Sequence, residues 1–297
     1  MITVNLPNNK VYIVKNFSST QLKQAKTCPK RWELMRVQNV PWKNNIYLVR
    51  GRNFHTVMET MHTYMQDNDN KLPNLKDLLE LSESGLRSEV TPDIIPLKKK
   101  TKKEKALSDK EYKDLKLQEL IVTSNKLIEE VYNSVDYKTL EVEISAPIVW
   151  HDLPFESRID LLVKRGNKTV LVDHKTKSID DGKVDLAQYS IYLKCLRENN
   201  IKVDEVEQWD GIFGKKPKIK KHLLNFEQIE KGIQLLDEDL DNILKMISAG
   251  YFPRNEYNSS CSPEFCPVWD LCRNPEKIQE LIDETTYHSE VTGLNIV

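Results

Sequence analysis

Two short β-type runs each carry an aspartate beside apolar residues: Arg158-Ile159-Asp160-Leu161-Leu162 and, further on, Val172-Asp173-His174-Lys175-Thr176. Arg165-Gly166-Asn167 between them is a turn signal, so the runs read as neighbouring antiparallel strands. Period-two alternation puts Asp173 and Lys175 on one face of the second strand. A carboxylate from each strand could then share a hard divalent cation, with the Lys175 ammonium close by. That set suits phosphodiester hydrolysis. The cation activates water and relieves charge on the phosphate, and the ammonium orients the water or stabilises developing negative charge. An isolated Asp-x-Lys is common and also reads as a solvent-facing hairpin. Val170, Leu171 and Val172 point instead to a buried strand delivering its charges at one end.

Further elements must hold these strands. Residues 18–37 read as a helix entered through Ser or Thr caps, with a break near Cys28 caused by Pro29. A second helix is expected over 52–66, with Phe54, Val57, Met58, Met61 and Tyr64 as its apolar stripe. Residues 74–135 look helical at both ends around a charged middle, 97–116, that is either disordered or an exposed helix. They are read as a helical, partly mobile insertion. From about residue 138 the chain turns β-rich. A helix is expected over 184–198, strands over 207–213 and 218–224, and an amphipathic helix over 227–249 ending at Gly250. The fold class is therefore α/β (mixed α+β). Its expected parts are an N-terminal helical part (1–73), the insertion (74–137), a core (138–250) and a cysteine-bearing tail (251–297).

The 297 residues suffice for one large or two small domains. No apolar run approaches the roughly 18 residues of a membrane span, and the N-terminus lacks the pattern of a secretory signal. A soluble, intracellular, cytoplasmic protein is expected. The formal net charge of −1 gives no global support for a polyanionic partner. Lysines do cluster, in Lys98, Lys99, Lys100, Lys102, Lys103 and Lys105 and again in Lys215, Lys216, Lys218, Lys220 and Lys221. Either run alone reads as solvated surface. Five cysteines with no export signal argue against a disulfide framework. Cys195 reads as a buried small hydrophobe. Cys28 with Cys261, Cys266 and Cys272 could close a [4Fe–4S] cluster or a tetrahedral zinc site.

Two more groups are candidates. His55 ends Gly51-Arg52-Asn53-Phe54-His55, with His62 two turns along the same helix face as its competitor. Gln188 and Tyr192 share a helix face four residues apart. Glu143, on the strand before Asp160, reads as a solvated charge and stays outside the candidate set.

These runs, with Ser157-Arg158-Ile159-Asp160, resemble in type and order the motifs of the PD-(D/E)xK superfamily. They are closest to its RecB-like nucleases, including CRISPR-associated and phage exonucleases: Gly-x-x-x-His, G-x-I-D, D-x-K-(T/S) and Q-x-x-x-Y. Ser157 stands where the family usually has Gly. The resemblance implies a restriction-endonuclease-like core, a central mixed sheet flanked by helices. It makes His55, Asp160 and Asp173 ligands of Mg²⁺ or Mn²⁺, with a backbone carbonyl at His174 as an extra ligand. Lys175 would assist the water, and Gln188 and Tyr192 would position the phosphate or the lysine. The one-plus-three cysteine arrangement resembles the iron–sulfur members, in a structural role that clips the N-terminal helix to the tail. C-x4-C-x5-C departs from their C-x2-C-x5-C, which keeps zinc open. The function so implied is a DNA exonuclease in recombination, repair or phage DNA processing, acting on single strands or duplex ends. The two lysine runs, with Arg31 and Arg52, would contact the phosphate backbone. A homo-oligomer or a helicase or recombinase partner stays open. The alternatives are a catalytically silent DNA-binding or assembly subunit that keeps the fold, and a zinc-stabilised nuclease.

Overall fold

The computed structural model describes residues 2–5, 11–14, 16–40, 45–92, 94–95, 101–214, 216–258, 261–263 and 265–278, with the backbone alone for 2–5 and 11–14. Lys98, Lys99, Lys100 and Lys215 of the two lysine runs lie outside the described residues.

Five strands form one mixed sheet in the order β3-β4-β5-β6-β7: β3 (Lys138–Trp150), β4 (Leu153–Arg165), β5 (Lys168–Lys177), β6 (Glu205–Ile212) and β7 (Lys218–Leu223). β4 and β5 pair antiparallel across the expected turn, where Gly166 adopts a φ of +57° that a side chain would strain. β5 and β6 pair in parallel, because α7 (Leu186–Glu198) carries the chain back along the sheet between them. β6 and β7 pair antiparallel. A separate two-stranded ribbon, β1 (Ile2–Asn5) with β2 (Val11–Val14), is a feature the sequence reading lacked.

The chain divides into two compact units. One comprises Met1–Lys43, Pro147–Glu156 and Lys231–Val297. In it α1 (Ser19–Thr27) is capped by the Ser18 hydroxyl, and Pro29 starts α2 (Pro29–Trp32), which runs into a π-helical turn (Glu33–Val37). Pro breaks the helix here because it donates no amide proton, and the break falls at Cys28 as expected. Trp32 packs against Phe17 and Phe252, with ring centroids 5.5 and 5.7 Å apart. Leu34, Met35, Val40, Val268 and Cys272 form a second buried cluster.

The other unit comprises Asn44–Ala146 and Ser157–Glu230. Here α3 (Ile46–Asp67) starts six residues before the expected helix, because the Asn45 side chain accepts from the Leu48 amide and caps it. α4 (Leu75–Glu89), the short α5 (Lys102–Lys105) and α6 (Asp109–Asn133) follow. Leu161, Val163, Val170 and Val172 alternate along β4 and β5 onto one sheet face. There they join Phe54, Val57, Met58 and Met61 of α3 and Leu127, Ile128 and Val131 of α6 in one buried cluster. The same alternation turns Asp173 and Lys175 to the opposite face. The last long helix, α8 (Phe226–Ala249), begins in this unit and continues as part of the first, ending before Gly250; α9 (Trp269–Arg273), also of the first unit, carries Cys272. No helix among the described residues is long and apolar enough to cross a membrane.

Candidate active site

The β4–β5 ladder runs from Arg165 opposite Lys168 to Leu161 opposite Val172. One further step of that register sets Asp160 against Asp173. The backbone ladder stops at this step: the His174 amide donates to Asp160 Oδ2 at 2.8 Å. The end of the β4–β5 ladder thus presents two carboxylates.

Asp173 is wholly buried. Lys175 Nζ lies 3.0 Å from its Oδ1 and 2.8 Å from its Oδ2, as the shared face requires. The Tyr189 hydroxyl donates to Asp173 Oδ2 at 2.9 Å, and the Gln188 amide approaches Oδ1 at 3.3 Å. Gln188 Nε2 also meets the Tyr192 hydroxyl. Gln188 and Tyr192 therefore stand beside the Asp173–Lys175 pair, and both are tied to α7. Tyr189, absent from the sequence-based set, touches Asp173 as closely as Lys175 does. It also lies 2.9 Å from Gln208 Oε1, and Gln208 in turn donates to the buried Asp210 at 2.7 Å.

His55 reaches this end of the ladder from α3. A Cβ on Gly51 would lie 3.1 Å from Thr176 Oγ1, so glycine lets this helix sit directly on the end of β5. One turn later, His55 Nδ1 lies 3.4 Å from Asp160 Oδ2. His62 is a different kind of residue. Nδ1 lies 2.7 Å from the Met58 carbonyl and Nε2 2.9 Å from the Tyr137 hydroxyl, so neither nitrogen can serve as a ligand. The carbonyl can only accept, so Nδ1 carries a proton, and burial keeps the ring neutral. His174, expected to contribute a carbonyl, buries its ring against Phe54, His62 and Trp209, with Nδ1 3.8 Å from Asp160.

Glu143 joins this group although the sequence reading left it out. Its φ of +50° in mid-strand is a left-handed backbone, which turns the side chain away from the regular pleat. It pairs with Arg158, and with His55, Glu59, Asp160 and His174 it lines a cavity of about 10 Å³. That is close to the room one water or bare ion needs.

The charges are set by burial and by each other. Burial alone would raise Asp160. Contact with the His174 side chain and the electrostatic pull of His55, His174 and Lys175 override it and hold this carboxyl well below its usual range. Asp173 is pushed up by burial, which Lys175 only partly offsets, with Asp160 adding to the rise. Burial lowers His55, against the pull of Asp160, so its ring is neutral at pH 7. Lys175 is raised despite burial, because Asp173 and Asp160 face it.

The donors fit a divalent cation in kind and partly in place. Cis ligands of an octahedral ion at 2.0–2.1 Å stand about 3 Å apart. His55 Nδ1 and Asp160 Oδ2, 3.4 Å apart beside the small cavity, are near that spacing. Asp173 is turned to Lys175 and Tyr189. Among the described residues no three His, Cys, Asp or Glu side chains already stand as a metal-holding group.

Cys28, Cys261, Cys266 and Cys272 belong to the first unit. Cys28 sits in the α1–α2 break, and the tail crosses it: Asn255 donates to the Thr27 carbonyl at 2.9 Å and the Lys30 amide to the Pro253 carbonyl at 3.2 Å. Burial pushes the Cys266 and Cys272 thiols up, and each feels the charge of Cys28. Arg31 beside Cys266, and Arg254, Lys30 and Arg273 beside Cys272, pull the other way and would favour thiolates. No contact among the described residues ties the Cys261 thiol to the other three. Cys195 is buried, its thiol donates to the Ser157 hydroxyl at 3.3 Å, and burial raises it to about 11. Ser157 thus fits in the usual glycine position with its hydroxyl satisfied.

Of the basic candidates, Arg52 pairs with Glu89 at 2.6 Å, and Lys218 and Lys220 face Asp180 at 3.5 and 3.1 Å. Lys221 lies 4.1 Å above the Trp209 ring. Lys102, Lys103, Lys105 and Lys216 are exposed.

The sequence profile of the PD-(D/E)XK nuclease superfamily matches residues 16–273. The chain belongs to this superfamily. Its mixed sheet flanked by helices is the PD-(D/E)XK nuclease fold, and nucleases of this kind act on DNA and typically use Mg²⁺ or Mn²⁺. A candidate exonuclease from Eubacterium rectale has a similar fold, with a TM-score of 0.51 at 11% identity over 83% of this chain and 87% of that one. The structure of SSO0001 aligns with a TM-score of 0.34 at 12% identity, over 75% of this chain and 96% of its own. No curated protein matches the sequence.

Proposed function

We propose that this PD-(D/E)XK nuclease is a Mg²⁺- or Mn²⁺-dependent DNA exonuclease of the RecB-like kind. The observation that carries the reading is the meeting of Asp160, Asp173 and Lys175 where the β4–β5 ladder stops, with His55 of α3 beside Asp160. His55, Asp160, Asp173 and the His174 carbonyl would hold the cation, which supplies an activated water and relief of charge on the phosphate. Lys175 keeps its proton, since the two carboxylates raise it, and acts by steadying negative charge rather than as a base. Gln188 and Tyr189 fix the Asp173 carboxylate, and Tyr192 fixes Gln188. Lys102, Lys103, Lys105 and Lys216 are the exposed cations for backbone contacts. In this reading residues 138–250 supply the core, 1–73 bring His55 and Cys28, and 74–137 are an inserted helical part. The setting is intracellular DNA recombination, repair or phage DNA processing, alone or with a helicase or recombinase.

We also propose that Cys28, Cys261, Cys266 and Cys272 hold a structural [4Fe–4S] cluster, with zinc as the alternative. Three thiols among basic side chains, with the tail hydrogen-bonded across the Cys28 turn, support it.

Digestion of end-labelled single- and double-stranded DNA, with circular DNA alongside, tests the nuclease reading. Linear DNA should be degraded with Mn²⁺, and EDTA or Asp173→Ala should stop it. DNA bound but never cut would establish the silent-subunit alternative, and cut circles an endonuclease.

A further inference from the structure

A second cavity, of about 370 Å³, opens beside the first turns of α3. Tyr47 and Arg50 of α3, Tyr112, Lys116 and Leu120 of α6, and Phe213 just past β6 line it. That volume lies in the range of small-molecule sites, about 300–1,000 Å³. Its walls mix aromatic rings with the aliphatic Ile46, Ile95 and Leu120, and one planar cation is set among them. The Arg50 guanidinium carbon lies 3.9 Å from the Phe213 ring centroid and 5.5 Å from that of Tyr47. One Arg50 amino group reaches Ser178 Oγ at 3.2 Å, whereas its Nε is buried with no acceptor. Burial lowers Arg50 only to about 10, so it stays charged at neutral pH. The acidic side chains here, Glu104 and Glu119, are both engaged by Lys116, at 2.7 and 2.8 Å.

The cavity is close to the carboxylates. Ser178 follows β5 three residues after Lys175, about 10 Å along an extended chain. His55 is five residues after Arg50 on α3, a rise of about 7.5 Å. The Phe213 amide donates to the Lys177 carbonyl at 2.8 Å, which fixes this wall to the strand bearing Asp173.

We propose that this cavity is a stacking subsite for one unpaired nucleotide of the DNA, adjacent to the phosphate held at Asp160 and Asp173. The base would lie against Tyr47 and the Arg50–Phe213 stack, and the buried Arg50 N–H would donate to the nucleotide. Aromatic faces and a guanidinium plane suit any of the four bases, since every base has a π-face, and a duplex pair could not enter. The subsite rests on the nuclease reading above and makes it specific: the substrate end must be single-stranded where it meets the site.

The test walks a single abasic nucleotide along a fluorescent single-stranded oligonucleotide. Binding is read by anisotropy in EDTA, and KM and kcat for cleavage in Mn²⁺. Wild type should show one position at which base loss weakens binding about 5- to 100-fold, the range expected for one base–aromatic stack. Tyr47→Ala removes a 60% exposed ring, so it should fold normally, bind all the oligonucleotides with the same reduced affinity and raise KM with kcat kept. Displacement of the oligonucleotide by a free deoxynucleoside monophosphate, lost in Tyr47→Ala, would also support the subsite and place it on the product side. A flat scan in wild type, or a position-dependent scan kept in Tyr47→Ala, overturns the proposal. If the scan behaves as expected in EDTA but no DNA is ever cut, the subsite stands and the nuclease reading falls.

Discussion

His62 is wholly buried beside the active site, with its ring held neutral between the Met58 carbonyl and the Tyr137 hydroxyl. Burial, with the neighbouring His174, pushes it down to about 3 from an ordinary value of 6.5. The sign follows from linkage. The unfolded chain takes up a proton as pH falls through 6.5, and the folded protein does not until about 3. Stability from this group is therefore complete above the unfolded value and lost on acidification. Between pH 7 and pH 5 the loss is about 1.5 pKa units at 1.36 kcal/mol each, or about 2 kcal/mol. Urea unfolding followed by circular dichroism, in EDTA at pH 7 and pH 5, measures it. Other groups titrate too, so the comparison is with His62→Gln, whose own lower stability cancels in the difference between the two pH values. Wild type should lose about 2 kcal/mol more than the variant. Equal losses would refute the assignment of His62 as a neutral structural histidine and reopen it as a competitor of His55.

Other expectations follow from individual contacts. Lys175→Ala removes the ammonium bonded to both Asp173 oxygens, so Mn²⁺ affinity by calorimetry should hold or tighten while kcat falls about 10²-fold or more, the cost of losing one charge-stabilising donor. Tyr189→Phe deletes one hydrogen bond to Asp173 and should weaken Mn²⁺ binding about 10-fold or more, the cost typical of a residue that orients a ligand. An unchanged affinity would make Tyr189 mere packing. Anaerobically purified Cys266→Ala should lose brown colour and solubility together, and an unchanged absorption spectrum would refute the cluster. Metal analysis of wild type separates iron from zinc.

What was legible in the sequence was local. Strand alternation alone set Asp173 and Lys175 on one face, and Gly166 marked the turn that brings Asp160 opposite. Pro29 marked the break at Cys28. What was not legible depends on distant partners. Tyr189 lies between Gln188 and Tyr192 in the chain and reads as ordinary helix core. Only the packing of α7 on β5 and β6 gives it Asp173 and Gln208. Glu143 reads as a strand charge because nothing local announces its left-handed backbone. His62 and His55 share one helix face and one residue type, and differ only in what is packed around them. β1 and β2 are four residues each, too short for alternation to be decisive. The apolar stripe from Phe54 to Tyr64 does not show where α3 starts, because the Asn45 cap sets that start.

The most direct test of the shared cation is anomalous diffraction from crystals soaked in Mn²⁺. The account predicts a peak within about 2.0–2.3 Å of carboxylate oxygens from both Asp160 and Asp173, with His55 as a further ligand, after Asp173 has turned from Lys175. Saturating Mn²⁺ with no peak there, or a peak bound only by residues elsewhere, would contradict it.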